Sequence, residues 1–137
     1  MKQVMQILVL AGLTACASQE AEQARQEEDQ AVRDFIAVRG LEELDKIRTG
    51  DSQGWDKIAD KFLVYNTRRA SYLFEFWRRC RELDDNTEIT PDVRRERNTI
   101  YARYETLRGC QIHKIYALTE ADAIELRDLG EAPGSRN

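Results

Sequence analysis

The sequence predicts a small α+β domain, a mainly antiparallel β-sheet or partly open barrel with a C-terminal helix and one disulfide. Residues 62–65 and 72–77 are aromatic and aliphatic runs on either side of a short polar segment, a pattern that favours a β-hairpin. Residues 111–118 alternate as a further strand, and helix start and stop signals enclose residues 119–130. Strands followed by a terminal helix are typical of this fold class.

The folded domain is expected over residues 32–130, and residues 131–137 are expected to form a flexible tail. The start of the domain is ambiguous, because residues 32–38 fit a strand as well as a helix and Gly40 interrupts the partly helical spacing that continues to Ile47. Residues 49–54 are rich in Gly, Asp and Ser, which predicts a loop.

Two segments in the middle of the domain also have helix signals, one of which competes with the predicted hairpin. The second run of the hairpin also fits a helix that would place four residues on one face: Leu73, Phe76, Cys80 and Leu83. Thr90 and Pro91 predict the start of a short polar helix through Arg97, with Thr as N-cap and Pro at the first helical position. Residues 99–104 have the composition of another strand.

The C-terminal helix has the clearest end signals. Thr119 and Asp122 resemble a capping box in which Asp replaces the usual Glu, and Gly130 is placed to end the helix. Between these ends Ala123, Leu126 and Leu129 recur every three positions, and Ile124 widens this apolar face into a broad stripe.

The first fifteen residues have the layout of a secretory signal peptide. Lys2 supplies a positive charge, and residues 4–13 are apolar except for Gln6. This run is about half of the roughly 20 residues that a spanning helix needs, so we expect cleavage after Ala15 and no permanent span. The alternative is a cytosolic protein in which residues 7–13 form a buried strand or helix, but it leaves the flanking charge and cleavage site unexplained.

Four residues at the cleavage site match the lipobox of bacterial lipoproteins, which the chain resembles: Leu13, Thr14, Ala15 and Cys16. The resemblance implies a diacylglyceryl group on the Cys16 sulfur and an acyl chain on its amine, and several chains together give a stable anchor. An Asp after the cysteine usually retains such proteins in the inner membrane. Because Ala17 stands there, the resemblance implies the periplasmic face of the outer membrane.

Residues 16–31 are expected to be a lipidated N-terminus and a polar tether. Residues 18–30 contain no large apolar side chain, so they cannot build a core. Their Ala, Glu, Gln and Arg content also suits a frayed helix. A partner-binding coiled coil is the alternative that we disfavour, because the apolar a and d positions are missing.

The net charge of the chain argues against one class of function, nucleic-acid binding. The 137-residue chain carries 21 basic and 25 acidic side chains, a formal net charge of −4. This modest acidity argues against a dedicated nucleic-acid binder, which needs a basic surplus on one face. The length suits one domain with its own core.

With Cys16 assigned to lipid, Cys80 and Cys110 remain as an even pair in an oxidising compartment, and we expect them to form a disulfide. The bond would close a loop of about 30 residues, for which chain entropy gives roughly 3 to 4 kcal/mol. A redox-active or metal-binding pair is the alternative, but C-x-x-C spacing is missing and the chain has one histidine.

Sequence signals for catalysis are weak. His113 stands in a strand-like alternation, which favours a sheet or surface residue over a general base. We find no nucleophile elbow, glycine-rich phosphate loop or metal-ligand cluster, and expect no catalytic residue, metal or cofactor. A small periplasmic enzyme of hydrolase type, with a site assembled only by the fold, is the alternative.

Arginine clusters occupy residues 68–69, 78–81 and 94–97 of this acidic chain. The second cluster adjoins an aromatic residue and supplies the candidate contacts for an anionic envelope ligand, such as a lipopolysaccharide phosphate: Trp77, Arg78, Arg79 and Arg81. Solubilising charges paired with neighbouring Asp and Glu are the alternative.

Two motifs, YLFEFWRRCREL at residues 72–83 and RGCQIHKIYAL at residues 108–118, resemble a group of uncharacterised proteobacterial secreted and lipid-anchored proteins. These proteins share a domain of unknown function. The resemblance implies that Cys80 pairs with Cys110, and it implies no activity. We therefore interpret the chain as a periplasm-facing envelope lipoprotein, a non-enzymatic binding or scaffolding module. Its expected partners are the membrane, through the lipid, and an envelope protein or anionic envelope component.

Overall fold

Two helices and an antiparallel sheet make up most of the computed structural model, which describes residues 14–50, 52–83, 91–92 and 98–131. Its elements are, in chain order, α1 (Thr14–Arg39), β1 (Glu43–Leu44), β2 (Lys46–Arg48), β3 (Ser52–Ala59), β4 (Phe62–Thr67), β5 (Ser71–Phe76), a 3-10 turn (Arg81–Leu83), β6 (Pro91–Asp92), β7 (Thr99–Tyr101), β8 (Thr106–Leu107), β9 (Cys110–Leu118) and α2 (Glu120–Glu131). The predicted signal peptide, apart from Thr14 and Ala15, and nearly all of the predicted tail lie outside the described residues.

The main sheet has the strand order β3-β4-β5-β9-β8-β6, and β1 also pairs with β9. All these pairings are antiparallel, and β2 and β7 form a separate two-stranded sheet. The described sheets do not close into a barrel. The predicted α+β class with a C-terminal helix and one disulfide is confirmed, and of its two sheet arrangements the structure has open sheets.

The predicted hairpin is confirmed as β4 and β5, which pair from Phe62 opposite Glu75 to Asn66 opposite Ser71. Thr67 closes the turn, since its hydroxyl accepts hydrogen bonds from the backbone N–H groups of Arg69 and Ala70. The competing helix is wrong. Leu73 and Phe76, the first two residues of its proposed face, lie in β5, where β-branched and aromatic neighbours pair across the sheet.

The central strand β9 confirms the prediction for residues 111–118. It pairs with β5 along one side and with β1 and β8 in succession along the other. Because side chains alternate along a strand, the sheet separates two apolar cores. The two helices cover one face, where Leu73 is buried, and the small sheet and the disulfide cover the other, where Phe74 is buried.

Helix α1 resolves the ambiguity over residues 32–38 in favour of helix and extends through the predicted tether. Asp29, Val32 and Phe35 are buried at helical spacing against the sheet. The helix ends in a Schellman motif, in which Gly40 has φ 59° and the Leu41 N–H donates to the carbonyl of Ile36. The predicted tether boundary at residue 31 thus falls inside one continuous helix, whose residues 16–24 are all exposed.

Helix α2 confirms the capping box, because the Thr119 hydroxyl accepts from the Asp122 N–H while the Asp122 carboxylate accepts from the Thr119 N–H. Gly130 does not end the helix as predicted. It lies within α2, and a Cβ there would stand 3.2 Å from the Ile58 Cα, so glycine allows the helix to approach β3 closely.

Two further predictions change in detail. Pro91 does not open a helix, because Pro91–Asp92 is the short edge strand β6 paired with β8; Thr90 and residues 93–97 lie outside the described residues. The strand predicted over residues 99–104 stops at Tyr101, where a turn with Arg103 at φ 70° follows. Among the described residues, no helix combines the length and the apolar character that crossing a membrane requires.

Candidate functional site

Trp77 directly follows β5 and is the most exposed tryptophan of the described chain, at 52%. Its backbone N–H donates to the carbonyl of Gln111 at 3.2 Å, which holds the residue at the end of the sheet. The indole ring lies 3.8 Å from the imidazole of His113, centroid to centroid, at an interplanar angle of 39°. The imidazole therefore supports one face of an indole that remains half open to solvent.

A β-bulge places His113 under this indole. Glu75 pairs with Lys114, but the next pair joins Phe76 to Ile112, so His113 is the extra residue of β9. Bulges re-aim side chains at the ends of sheets. The His113 Nδ1 atom is buried and has no hydrogen-bond partner among the described residues. The interpretation of His113 as a sheet residue agrees with its place in β9.

The three arginines predicted beside Trp77 divide into two groups. Arg78 and Arg81 are exposed, and neither forms an ion pair within the part of the chain that the structure describes. Arg79 turns inward, where its Nε lies 3.1 Å from Asp60 Oδ2 and its side chain is 28% exposed. Arg79 therefore has a structural contact, whereas Arg78 and Arg81 remain accessible to solvent.

Sequence reasoning missed a second basic and aromatic pair on the same edge, Arg103 and Tyr104. Gln111 connects this pair to Trp77. Its side-chain amide donates to the Arg103 carbonyl at 2.8 Å, and its backbone carbonyl accepts from the Trp77 N–H. Tyr104 is 59% exposed, and Arg103 is exposed with one guanidinium nitrogen 3.6 Å from Glu43. Arg103 and Tyr104 are adjacent in sequence, which was the one sequence indication of this pair. The turn after β7 places the pair next to Gln111 and Trp77.

We call this surface the aromatic–basic edge and define it by six residues: Trp77, Arg78, Arg81, Arg103, Tyr104 and His113. The first of the other two arginine clusters is elsewhere in the fold. Residues 68–69 are in the β4–β5 turn, at the opposite end of a six-residue strand, and are exposed. Residues 94–97 lie outside the described residues. Arg68 and Arg69 can therefore serve as a distant, matched control for substitutions of Arg78 and Arg81.

A charge cluster centred on Asp60 connects this edge to helix α1. The Asp60 carboxylate lies 3.1 Å from Arg79, 3.6 Å from Lys57 and 3.9 Å from Arg25 of the helix. The backbone carbonyl of Asp60 also accepts from the Cys80 N–H at 3.3 Å. The β3–β4 turn that carries Asp60 therefore contacts both the helix and residues 77–81.

The same cluster contains carboxyl groups with raised pKa values. Burial raises the pKa of Asp29, and the hydrogen bond that its carboxylate accepts from the Lys61 N–H lowers it in part. Partial burial raises the pKa of Glu28, and the negative charges of Asp60 and Asp29 add to this effect. This part of the helix therefore carries two carboxyl groups whose pKa values are raised above their ordinary values.

Cys80 and Cys110 form the predicted disulfide, with their Cα atoms 5.7 Å apart. The Glu82 carboxylate lies 3.2 Å from Cys110 Sγ and 3.7 Å from Cys80 Sγ, so the three side chains would meet at one point as metal donors. Metals bind the thiolate form, which the intact disulfide does not offer. Cys16 is exposed and outside this bond.

A second polar cluster lies between α1 and the sheet. Glu75 is buried, with its carboxylate 3.5 Å from Arg33 and 3.5 Å from the Tyr116 hydroxyl. Burial and the neighbouring Glu75 charge raise the pKa of Tyr116 to about 12. Helix α1 covers this cluster. An open depression lies elsewhere, on the small sheet, and is lined by Lys46, Ile47, Arg48 and Thr99.

Comparisons with known proteins agree with the resemblance stated above at the level of a domain of unknown function. No curated protein and no solved structure matches the chain. A family model described as a family of unknown function, DUF6491, matches residues 1–132, which is nearly the whole sequence. The chain therefore belongs to this family of unknown function.

Proposed function

We propose that the protein is a lipid-anchored envelope protein, held at the periplasmic face of the outer membrane, whose aromatic–basic edge binds an anionic envelope component. The observation that carries the proposal is the half-exposed Trp77 indole on His113, followed closely in sequence by the exposed arginines Arg78 and Arg81. The proposal is for a binding module without catalytic chemistry.

The composition of the edge supports a binding role. Tryptophan, tyrosine and arginine are the residues that most often dominate binding energy at interfaces. Trp77 is prepared for contact because the bulge and the Gln111 hydrogen bond fix its backbone and His113 supports its ring, so little freedom would be lost on binding. Exposed guanidinium groups are suited to bidentate contacts with phosphate or carboxylate.

The N-terminal features support the anchor. The lipobox residues end at Cys16, which is exposed within α1. Residues 16–24 are exposed on every side of the helix, as expected for a segment between a membrane and a domain. Cys16→Ser should abolish metabolic labelling with palmitate and release the protein from the membrane fraction.

The binding role is tested by exchanging charges on the edge. Lipidated protein carrying Arg78→Glu with Arg81→Glu should lose co-purification with its anionic envelope component, because two attractive charges become repulsive. Arg68→Glu with Arg69→Glu applies the same change in charge at the far end of the hairpin and should leave co-purification intact. Equal co-purification by both double variants, at unchanged melting temperature, would reject the proposal.

A further inference from the structure

We infer that the aromatic–basic edge faces the membrane that holds the anchor and binds anionic phospholipid headgroups in that leaflet. The inference rests on the lipid anchor at Cys16 proposed above. It adds a ligand class and an orientation: the second contact of the protein with its membrane is made by Trp77, Arg78 and Arg81.

The position of the edge along α1 is the first argument. Arg25 of α1 and Arg79 both contact Asp60, with Nε atoms 3.9 Å and 3.1 Å from the same carboxylate oxygen. Residues 77–81 therefore lie level with Arg25, at the end of the docked part of α1 from which the exposed segment continues toward Cys16. The helix rises by only about 14 Å over the nine residue steps from Cys16 to Arg25.

The helical form of this segment is the second argument. Nine residues in extended conformation would reach about 30 Å and turn freely, whereas the helix has about half that length and a fixed direction. Glu20 and Glu22 are exposed on the segment and disfavour a helix lying flat on an anionic surface. A short, upright helix keeps the edge close to the headgroups.

The chemistry of the edge is the third argument. Tryptophan is enriched at membrane interfaces, where an apolar ring with a polar N–H suits the headgroup layer. Arg78 and Arg81 add two cations, and each basic residue near an anionic leaflet strengthens attachment by roughly fivefold. Because the whole chain has a net charge of −4, a local positive edge also selects which side of the domain approaches an anionic membrane.

The test uses the mature lipidated protein, reconstituted into vesicles of phosphatidylcholine alone or of phosphatidylcholine with phosphatidylglycerol. The chain has two tryptophans, so Trp55→Phe leaves Trp77 as the only indole reporter. With phosphatidylglycerol we expect a blue shift of Trp77 emission and protection from aqueous acrylamide. Arg78→Glu with Arg81→Glu should remove both effects, and Arg68→Glu with Arg69→Glu should preserve them.

Because Trp55 packs against the core, brominated phosphatidylglycerol provides a second measurement without that substitution. It should quench the emission of the unsubstituted protein and much less that of the Arg78, Arg81 double variant. Incorporated protein whose Trp77 emission is the same in both vesicles would overturn the inference while leaving the anchor intact. A blue shift with inorganic phosphate on detergent-solubilised protein would overturn it in favour of a free anion, and failure to incorporate would overturn the anchor as well.

Discussion

Asp29 of α1 accepts a hydrogen bond from the backbone N–H of Lys61 at 3.2 Å, which attaches the helix to the β3–β4 turn. Asp29 is only 7% exposed and lies beside the Asp60 cluster. Together with the contact of Arg25 with Asp60, this hydrogen bond holds the N-terminal end of the docked part of α1 on this turn. It also makes helix docking sensitive to pH.

Asp29→Asn should make the docking of α1 less dependent on pH. The pKa of Asp29 is raised in the folded state, so its protonated form favours folding; that contribution is fully present below the unfolded pKa and is lost as pH rises through the raised value. Asn keeps an oxygen acceptor for the Lys61 N–H and cannot ionise. We expect the variant to equal or exceed wild type in unfolding free energy at pH 7, with the difference shrinking toward pH 4.

Urea denaturation at a series of pH values measures this difference. Asp34→Asn is a matched control, because Asp34 is exposed on the same helix. A wild-type stability advantage over Asp29→Asn that grows with pH would contradict the prediction, since it would mean that the ionised carboxylate is favoured in the folded protein.

Arg79→Ala should destabilise the domain, whereas Arg78→Ala should not. The Arg79 guanidinium lies 3.1 Å from a mostly buried Asp60 carboxylate, which would lose its closest cation. Arg78 is exposed and has no ion pair among the described residues. We expect a loss of about 1 to 2 kcal/mol for Arg79→Ala and within about 0.5 kcal/mol of wild type for Arg78→Ala.

A double-mutant cycle of Arg79→Ala with Asp60→Asn, followed by chemical denaturation, isolates the ion pair from other effects. A coupling energy near zero would show that the two side chains do not stabilise each other.

Reduction of the Cys80–Cys110 bond should lower the unfolding free energy by about 3 to 4 kcal/mol, because the bond closes a loop with a sequence separation of 30. Cys80 and Cys110 are buried, so the bond also completes the core below the sheet. Denaturation curves with and without a phosphine reductant measure the loss, and Cys80→Ser should reproduce it. Cys16→Ser should leave the stability of detergent-solubilised protein unchanged, and an equal loss there would argue against a specific role for the bond.

The predictability of the fold followed the strength of local signals. The hairpin, β9 and the start of α2 were predictable because alternation and the Thr119–Asp122 box are local patterns. Gly130 was misjudged because its role depends on Ile58, a contact between residues distant in sequence. The extent of α1 was not predictable either, since contacts between residues distant in sequence, such as Asp29 with Lys61 and Arg33 with Glu75, hold a polar helix on the sheet.

The candidate site was predictable in part for the same reason. Trp77 and Arg78 stand together in sequence, so their association was visible before folding. The inward turn of Arg79 depends on Asp60, and the arrival of Arg103 depends on the turn after β7. Neither relationship leaves a periodic pattern in the sequence, so both required the fold.

Tyr116 should ionise near pH 12, about two units above an ordinary tyrosine. Its hydroxyl is buried beside Glu75, so a phenolate would be poorly solvated and repelled by a neighbouring carboxylate. Because the folded pKa exceeds the unfolded one, the stability that Tyr116 contributes is fully present below pH 10 and is lost as pH rises toward 12.

Alkaline difference absorbance of the wild type and of Tyr116→Phe identifies the titration of Tyr116 among the five tyrosines of the chain. Tyr104→Phe is the matched control, because Tyr104 is exposed and its removal should leave the late transition in place. If Tyr116→Phe instead removes a transition near pH 10, Tyr116 is solvated, and helix α1 does not cover the Glu75 cluster as the structure describes.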